Sequence, residues 1–111
     1  MSTRALRDLS DQLGLGTCQQ FVGNYITMWE SRYSRLVAAL HSEDFPDVMD
    51  VVLSIKISSQ MAGAERLAGL AAEAQQLAHS RDHAGLMSLL EPLQRCGEDT
   101  IRQLHDTLPR L

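Results

Sequence analysis

Leu53-Ser-Ile-Lys-Ile-Ser-Ser-Gln-Met-Ala-Gly-Ala64 decides how this chain folds, because its apolar residues recur at helical spacing and then stop at a glycine. Carried back to Phe45, the pattern gives two stripes on one helix. Phe45, Val48, Val52, Ile55 and Ser59 form the first, while Met49, Leu53, Ile57 and Gln60 form the second. Only one stripe is needed for a core, which leaves the other free for something else. Gly63 stands at a C-cap position, where a residue without a β-carbon ends a helix at little cost. Upstream, His41-Ser-Glu-Asp44 interrupts the periodicity. Ser42 or Asp44 can cap the helix, and Pro46 falls in its first turn, where a missing N–H matters little.

Working outward, the rest of the chain supplies a leader and three more helices. Residues 1–14 form a leader with Leu6, Leu9 and Leu13 on one face, and Gly14-Leu-Gly-Thr17 breaks it, Gly16 ending one helix and Thr17 capping the next. The first long helix then runs to about Leu40, with Val22, Tyr25, Trp29, Leu36 and Leu40 along one stripe. After Gly63 a third helix from about Ala64 to Ser80 turns Leu67, Leu70, Ala74 and Leu77 inward, its small residues allowing close packing. Arg81-Asp-His83 is a short polar turn. The last helix continues to about Leu108 with Leu86, Leu90, Leu93, Gly97, Ile101, Leu104 and Leu108 as its seam, the clearest periodicity in the chain. Pro92 lies inside that seam, so the helix either kinks there or begins later. No internal repeat stands out. The expected fold is all-α: an antiparallel four-helix bundle over residues 15–111 behind a short helical leader.

Composition narrows the function. The 111 residues make one domain, and a net charge of −4 without a cluster of Lys and Arg argues against a nucleic-acid partner. No segment approaches the roughly 20 apolar residues of a membrane span, so a cytoplasmic protein is expected. Cys18 and Cys96 are isolated, without CxxC spacing, and suit buried reduced thiols better than a disulfide or a zinc site. Glycine-rich phosphate loops, nucleophile elbows and paired catalytic carboxylates are all missing from the sequence, and neither a cofactor nor an enzyme is expected.

The opening stretch resembles the signature of histidine phosphotransfer (HPt) domains, the helical intermediates of phosphorelays, whose pattern runs His-x-Leu-Lys-Gly-Ser-Ser/Ala and ends in Gly-Ala. Lys56, Ser58, Ser59, Gly63 and Ala64 stand at matching offsets, and Ile55 replaces the usual leucine. Two positions depart from the pattern. Leu53 occupies the place of the phospho-accepting histidine, and Ile57 the place of the glycine one turn later. The resemblance spans roughly Leu13 to Leu108, and only the central motif is specific.

Those departures remove the chemistry. A neutral imidazole attacks phosphorus through a nitrogen lone pair, and leucine has none. A glycine one turn on would leave the nucleophile open, and Ile57 puts a branched side chain there. The lysine that would balance phosphate charge survives as Lys56. None of His41, His79, His83 and His105 repeats the lysine and glycine offsets, so they read as solvated surface residues, and His79 with His83 lacks the further ligands a metal site would need. The resemblance therefore implies a domain that binds a response-regulator receiver or a histidine kinase without accepting phosphate. Its expected contact residues are Met49, Leu53, Lys56, Ile57, Ser59 and Gln60. Two other readings stay open: a structural homodimer joined through the apolar Leu53/Ile57 face, and phosphotransfer through one of the other histidines. Leu53 and Ile57 would also be mere packing if the helix were rotated and the leader covered them.

Overall fold

Asp44 and Gly63 bound the diagnostic helix as their chemistry requires. In the computed structural model, which describes residues 3–111, the Asp44 carboxylate accepts the backbone N–H of Asp47 at 3.2 Å and so caps α3 (Phe45–Ala62), with Pro46 in the first turn. At the other end Gly63 adopts φ 76. The Gly63 N–H donates to the Gln60 carbonyl at 3.2 Å and the Ala64 N–H to the Ser59 carbonyl at 2.9 Å, a Schellman closure that satisfies the terminal carbonyls.

The remaining helices are α1 (Thr3–Leu13), α2 (Leu15–His41), α4 (Glu65–His79) and α5 (His83–Thr107), followed by a 3-10 turn over Leu108–Arg110. Each of α2 to α5 packs on its neighbour in sequence, and α5 returns to α2, which closes an antiparallel four-helix bundle. Among the described residues no helix is long and apolar enough to cross a membrane. Two boundaries differ from the sequence reading. Gly14, at φ 90, breaks the chain alone, so α2 starts at Leu15 before Gly16 and Thr17. His83 belongs to α5, because Asp82 is the residue whose carboxylate accepts the Gly85 N–H at 2.9 Å.

The core runs the length of the bundle through Val22, Leu36, Leu40, Val48, Val52, Ile55, Leu67, Leu86, Leu93 and Leu104. Val51, outside either predicted stripe, is buried as well. With α2, α4 and α1 all packed against it, α3 buries a band wider than a single row. The leader lies against α2 and α3 through Leu6 and Leu9, and the Cys18 thiol donates to the Leu6 carbonyl at 3.5 Å. Leu13, expected on that same face, is exposed, because it is the last residue before the Gly14 break and lies beyond the docked turns. Cys18 and Cys96 are free and buried, and burial pushes both thiols above their ordinary pKa.

Two contacts fix how α2 sits in the bundle. The buried hydroxyls of Tyr25 and Ser59 share a hydrogen bond of 2.7 Å between α2 and α3. On the α5 side, Gly97 lies directly beneath Trp29: a β-carbon at that position would be 1.9 Å from Trp29 Cζ2. α5 runs without interruption through Pro92, which is exposed, so water can reach the Ser88 carbonyl that the proline leaves without its helical donor.

Candidate functional site

Burying Val48, Val51, Val52, Ile55 and Ser59 turns the opposite side of α3 to solvent. That side carries Leu53 and Ile57, 36% and 48% exposed, with exposed Gln60 and half-buried Met49 and Lys56 beside them. Met61, 41% exposed, extends the apolar line by another turn. Met49, Leu53, Ile57 and Met61 stand four residues apart and form a single ridge along the helix. The leader packs elsewhere on α3 and leaves this ridge open, so Leu53 and Ile57 are not core residues.

Charged residues hold both edges of the face. Along α2, the Arg35 guanidinium spans Asp47 and Asp50, the latter at 3.0 Å, and these two carboxylates raise its pKa further. One turn away Arg32 Nη1 donates to Ser58 Oγ at 3.1 Å, while the Ser58 hydroxyl donates to the Ser54 carbonyl at 2.7 Å. Along α4, Lys56 Nζ donates to Gln75 Oε1 at 2.9 Å. Lys56 is the only lysine in the chain, and a neutral amide holds it while leaving its charge uncompensated.

Five of the six expected contact residues therefore share this surface: Met49, Leu53, Lys56, Ile57 and Gln60. Ser59 does not. It is fully buried and spends its hydroxyl on Tyr25, because it continues the inward row of Val48, Val52 and Ile55. Met61, Arg32 and Arg35 belong to the surface and went unrecognised in the sequence. Arg35 and Asp50 lie at nearly equal distances from the turn at Ser42-Glu-Asp44, and an antiparallel hairpin brings such a pair together.

The histidines lie away from the ridge. α3 contains none, His41 and His79 end α2 and α4, and His105 is near the end of α5; all three are exposed. His83 departs from the solvated surface role expected of it. Its Nε2–H donates to the Leu40 carbonyl at 3.0 Å and ties the start of α5 to the end of α2. Among the described residues no group of three His, Cys, Asp or Glu side chains could hold a metal ion.

A comparison within the bundle shows what its outward positions tolerate. The turns His41-Ser-Glu-Asp44 and His79-Ser-Arg-Asp82 are built alike, each with a left-handed third residue (Glu43 φ 53, Arg81 φ 56) and an aspartate capping the next helix. This local repeat escaped the sequence reading. Counted from the two caps, Met49, Leu53 and Ile57 of α3 correspond to Met87, Glu91 and Arg95 of α5, and Glu91 and Arg95 form an ion pair at 2.5 Å. The fold accepts charge at these places. At 53 and 57 α3 instead carries hydrocarbon that is 36% and 48% exposed. Chemically the α3 face offers carbon surface with one cation beside it, and none of its four ridge side chains has a lone pair suited to attack on phosphorus.

The family model for the Hpt domain matches residues 20–111. Among solved structures, the crystal structure of histidine-containing phosphotransfer protein B (HptB) from Pseudomonas aeruginosa PAO1 superposes with a TM-score of 0.90 at 22% identity, over 100% of this chain and 96% of that one. No curated protein matches the chain.

Proposed function

The chain belongs to the Hpt domain family, and on that premise we propose that it is a docking module of a phosphorelay, one that holds the receiver domain of a response regulator without accepting phosphate. The observation that carries this reading is Leu53, open to solvent at the position where the family motif has its histidine, three residues before a retained lysine. The ridge supplies apolar area to a partner, Lys56 supplies a cation, and Gln60 a polar contact at the rim. A phosphoryl group brought to this face by a phosphorylated receiver meets the Leu53 and Ile57 side chains and finds no acceptor. The setting we assign is cytoplasmic.

The test mixes the purified chain with receiver domains from the same organism, each carrying a radiolabelled phosphoryl group on its acceptor residue. One receiver is expected to co-elute with the chain on gel filtration while all the label stays on the receiver or is lost to water. Stable label on the chain, or failure of every receiver to bind, would overturn the proposal.

A further inference from the structure

The hydrocarbon of the α3 ridge gives a partner no direction, but the charges beside it do. Met49, Leu53, Ile57 and Met61 run as methionine, branched aliphatic, branched aliphatic, methionine at equal steps of four, so the apolar contact alone suits a partner laid along α3 either way round. Charge is sorted along the same line. From Glu43 to Asp50 the chain has four acidic residues and no basic one, whereas from Val51 to Ala64 it has Lys56 and no acidic one.

Neighbouring helices sharpen the division. At the acidic end a single guanidinium, Arg35, faces both Asp47 and Asp50, and the Asp50 side chain stays 71% exposed, so that end remains negative. Toward the other end Arg32 donates to the Ser58 hydroxyl and Lys56 to the Gln75 amide. Both acceptors are neutral, which leaves two uncompensated cations on opposite flanks of Ile57. Nothing nearby cancels them. Glu30 is two residues from Arg32 and so points away from it around α2, while Ala72 and His79, one turn either side of Gln75 on α4, bring no carboxylate.

A partner that covers the ridge covers these groups too. Laid one way, its carboxylates meet Arg32 and Lys56 and its basic group meets Asp47 and Asp50; laid the other way, like charges meet at both ends and the two cations are covered without a counter-charge. We infer that the receiver lies on α3 in this one orientation, with carboxylates of its contact surface at Arg32 and Lys56 and a basic side chain at Asp47 and Asp50. The inference rests on the receiver reading of this face. In it the ridge supplies contact area, and the charged ends supply direction and choice among receivers.

Two measurements with the receiver that co-elutes with the full chain test it. The first reads direction. A benzophenone is attached through Met49→Cys in one sample and through Met61→Cys in another, Cys18 and Cys96 being buried and slow to react. On illumination each probe is expected to cross-link its own peptide of the receiver; the same pair of peptides from both probes would overturn the inference. The second reads charge. Lys56→Gln and Arg32→Gln each remove a cation and Asp50→Asn removes an anion, yet all three are expected to weaken binding, about five- to tenfold at Lys56 and about two- to fivefold at the more exposed Asp50, less so as salt is raised. Arg95→Gln on α5, outside the face, is the control and is expected to change nothing, and circular dichroism checks that every variant stays helical. Asp50→Asn binding as tightly as the wild-type chain or more so, or cation variants without effect, would remove this inference and leave docking standing. If no receiver binds the wild-type chain, the docking proposal fails and the orientation falls with it.

Discussion

Gly97→Ala should destabilise the bundle although alanine is the better helix former. In the interior of α5 the exchange by itself gains about 1 kcal/mol of helix propensity. Against that, the new β-carbon would stand 1.9 Å from Cζ2, 2.3 Å from Cε2 and 2.6 Å from Cη2 of Trp29. What it meets is a buried indole held between α2 and α5, not the free end of a flexible chain, so either the ring must turn or the helices must part. Forcing an extra carbon into a packed site costs about 1–3 kcal/mol and occasionally more, and an overlap this deep belongs at the upper end. The net loss is about 1–2 kcal/mol, or a fall in Tm of roughly 4–8 °C for a domain of this size. Gly69→Ala is the control. Nothing lies within 4 Å of a β-carbon built there, so the same exchange in α4 should stabilise by about 1 kcal/mol. Urea unfolding followed by circular dichroism measures both, and Trp29, the only tryptophan, reports locally through its fluorescence. A Gly97→Ala protein as stable as Gly69→Ala, with unchanged emission, would refute the reasoning.

Tyr25→Phe tests the buried hydroxyl pair through pH. Burial raises the phenol above its ordinary pKa of 10.0, so the stability gained by keeping it neutral is whole below the unfolded value and lost as pH climbs through the folded one. Unfolding measured across this alkaline range should fall less steeply for Tyr25→Phe, from a starting stability about 1 kcal/mol lower because Ser59 loses its partner; parallel curves would count against the assignment. Lys56, as the sole lysine, gives a footprint of the docking face: an amine-specific reagent should modify it several-fold more slowly once a receiver is bound, with mass spectrometry as the readout, and equal rates would place the receiver elsewhere. Restoring the motif with Leu53→His and Ile57→Gly together should let a phosphorylated receiver label the chain, and an intact complex that still transfers nothing would mean the scaffold lacks more than its nucleophile.

Much of the fold was legible because its punctuation is local. Asp44, Pro46 and Gly63 act through backbone groups within a few residues of themselves, and the leucine seam of the last helix is a property of one helix alone. The places where the sequence misleads are set by neighbours it does not name. Ser59 continues an inward row yet is polar, and only Tyr25, far away in sequence, explains how a hydroxyl is satisfied there. Val51 is buried because α3 has helices on three sides, and Leu13 is exposed because the chain turns away at Gly14. His83 looked like part of a solvated turn until the Leu40 carbonyl supplied its partner. For the α3 face, the i, i+4 spacing of Met49, Leu53 and Ile57 was readable. Its rim of Arg32 and Arg35 was not, since those side chains come from α2 and meet α3 only across the hairpin. The close approach of Trp29 to Gly97 likewise depends on how α2 and α5 cross.

Calorimetric titration of a receiver domain from the same organism into the wild-type chain and into Leu53→Asp measures the central claim most directly. The account expects a saturable heat with the wild-type chain and at least a tenfold weaker affinity for the variant, with both proteins equally helical and neither carrying phosphate afterwards. Equal affinity for the two would mean that the ridge centred on Leu53 is not where the partner sits.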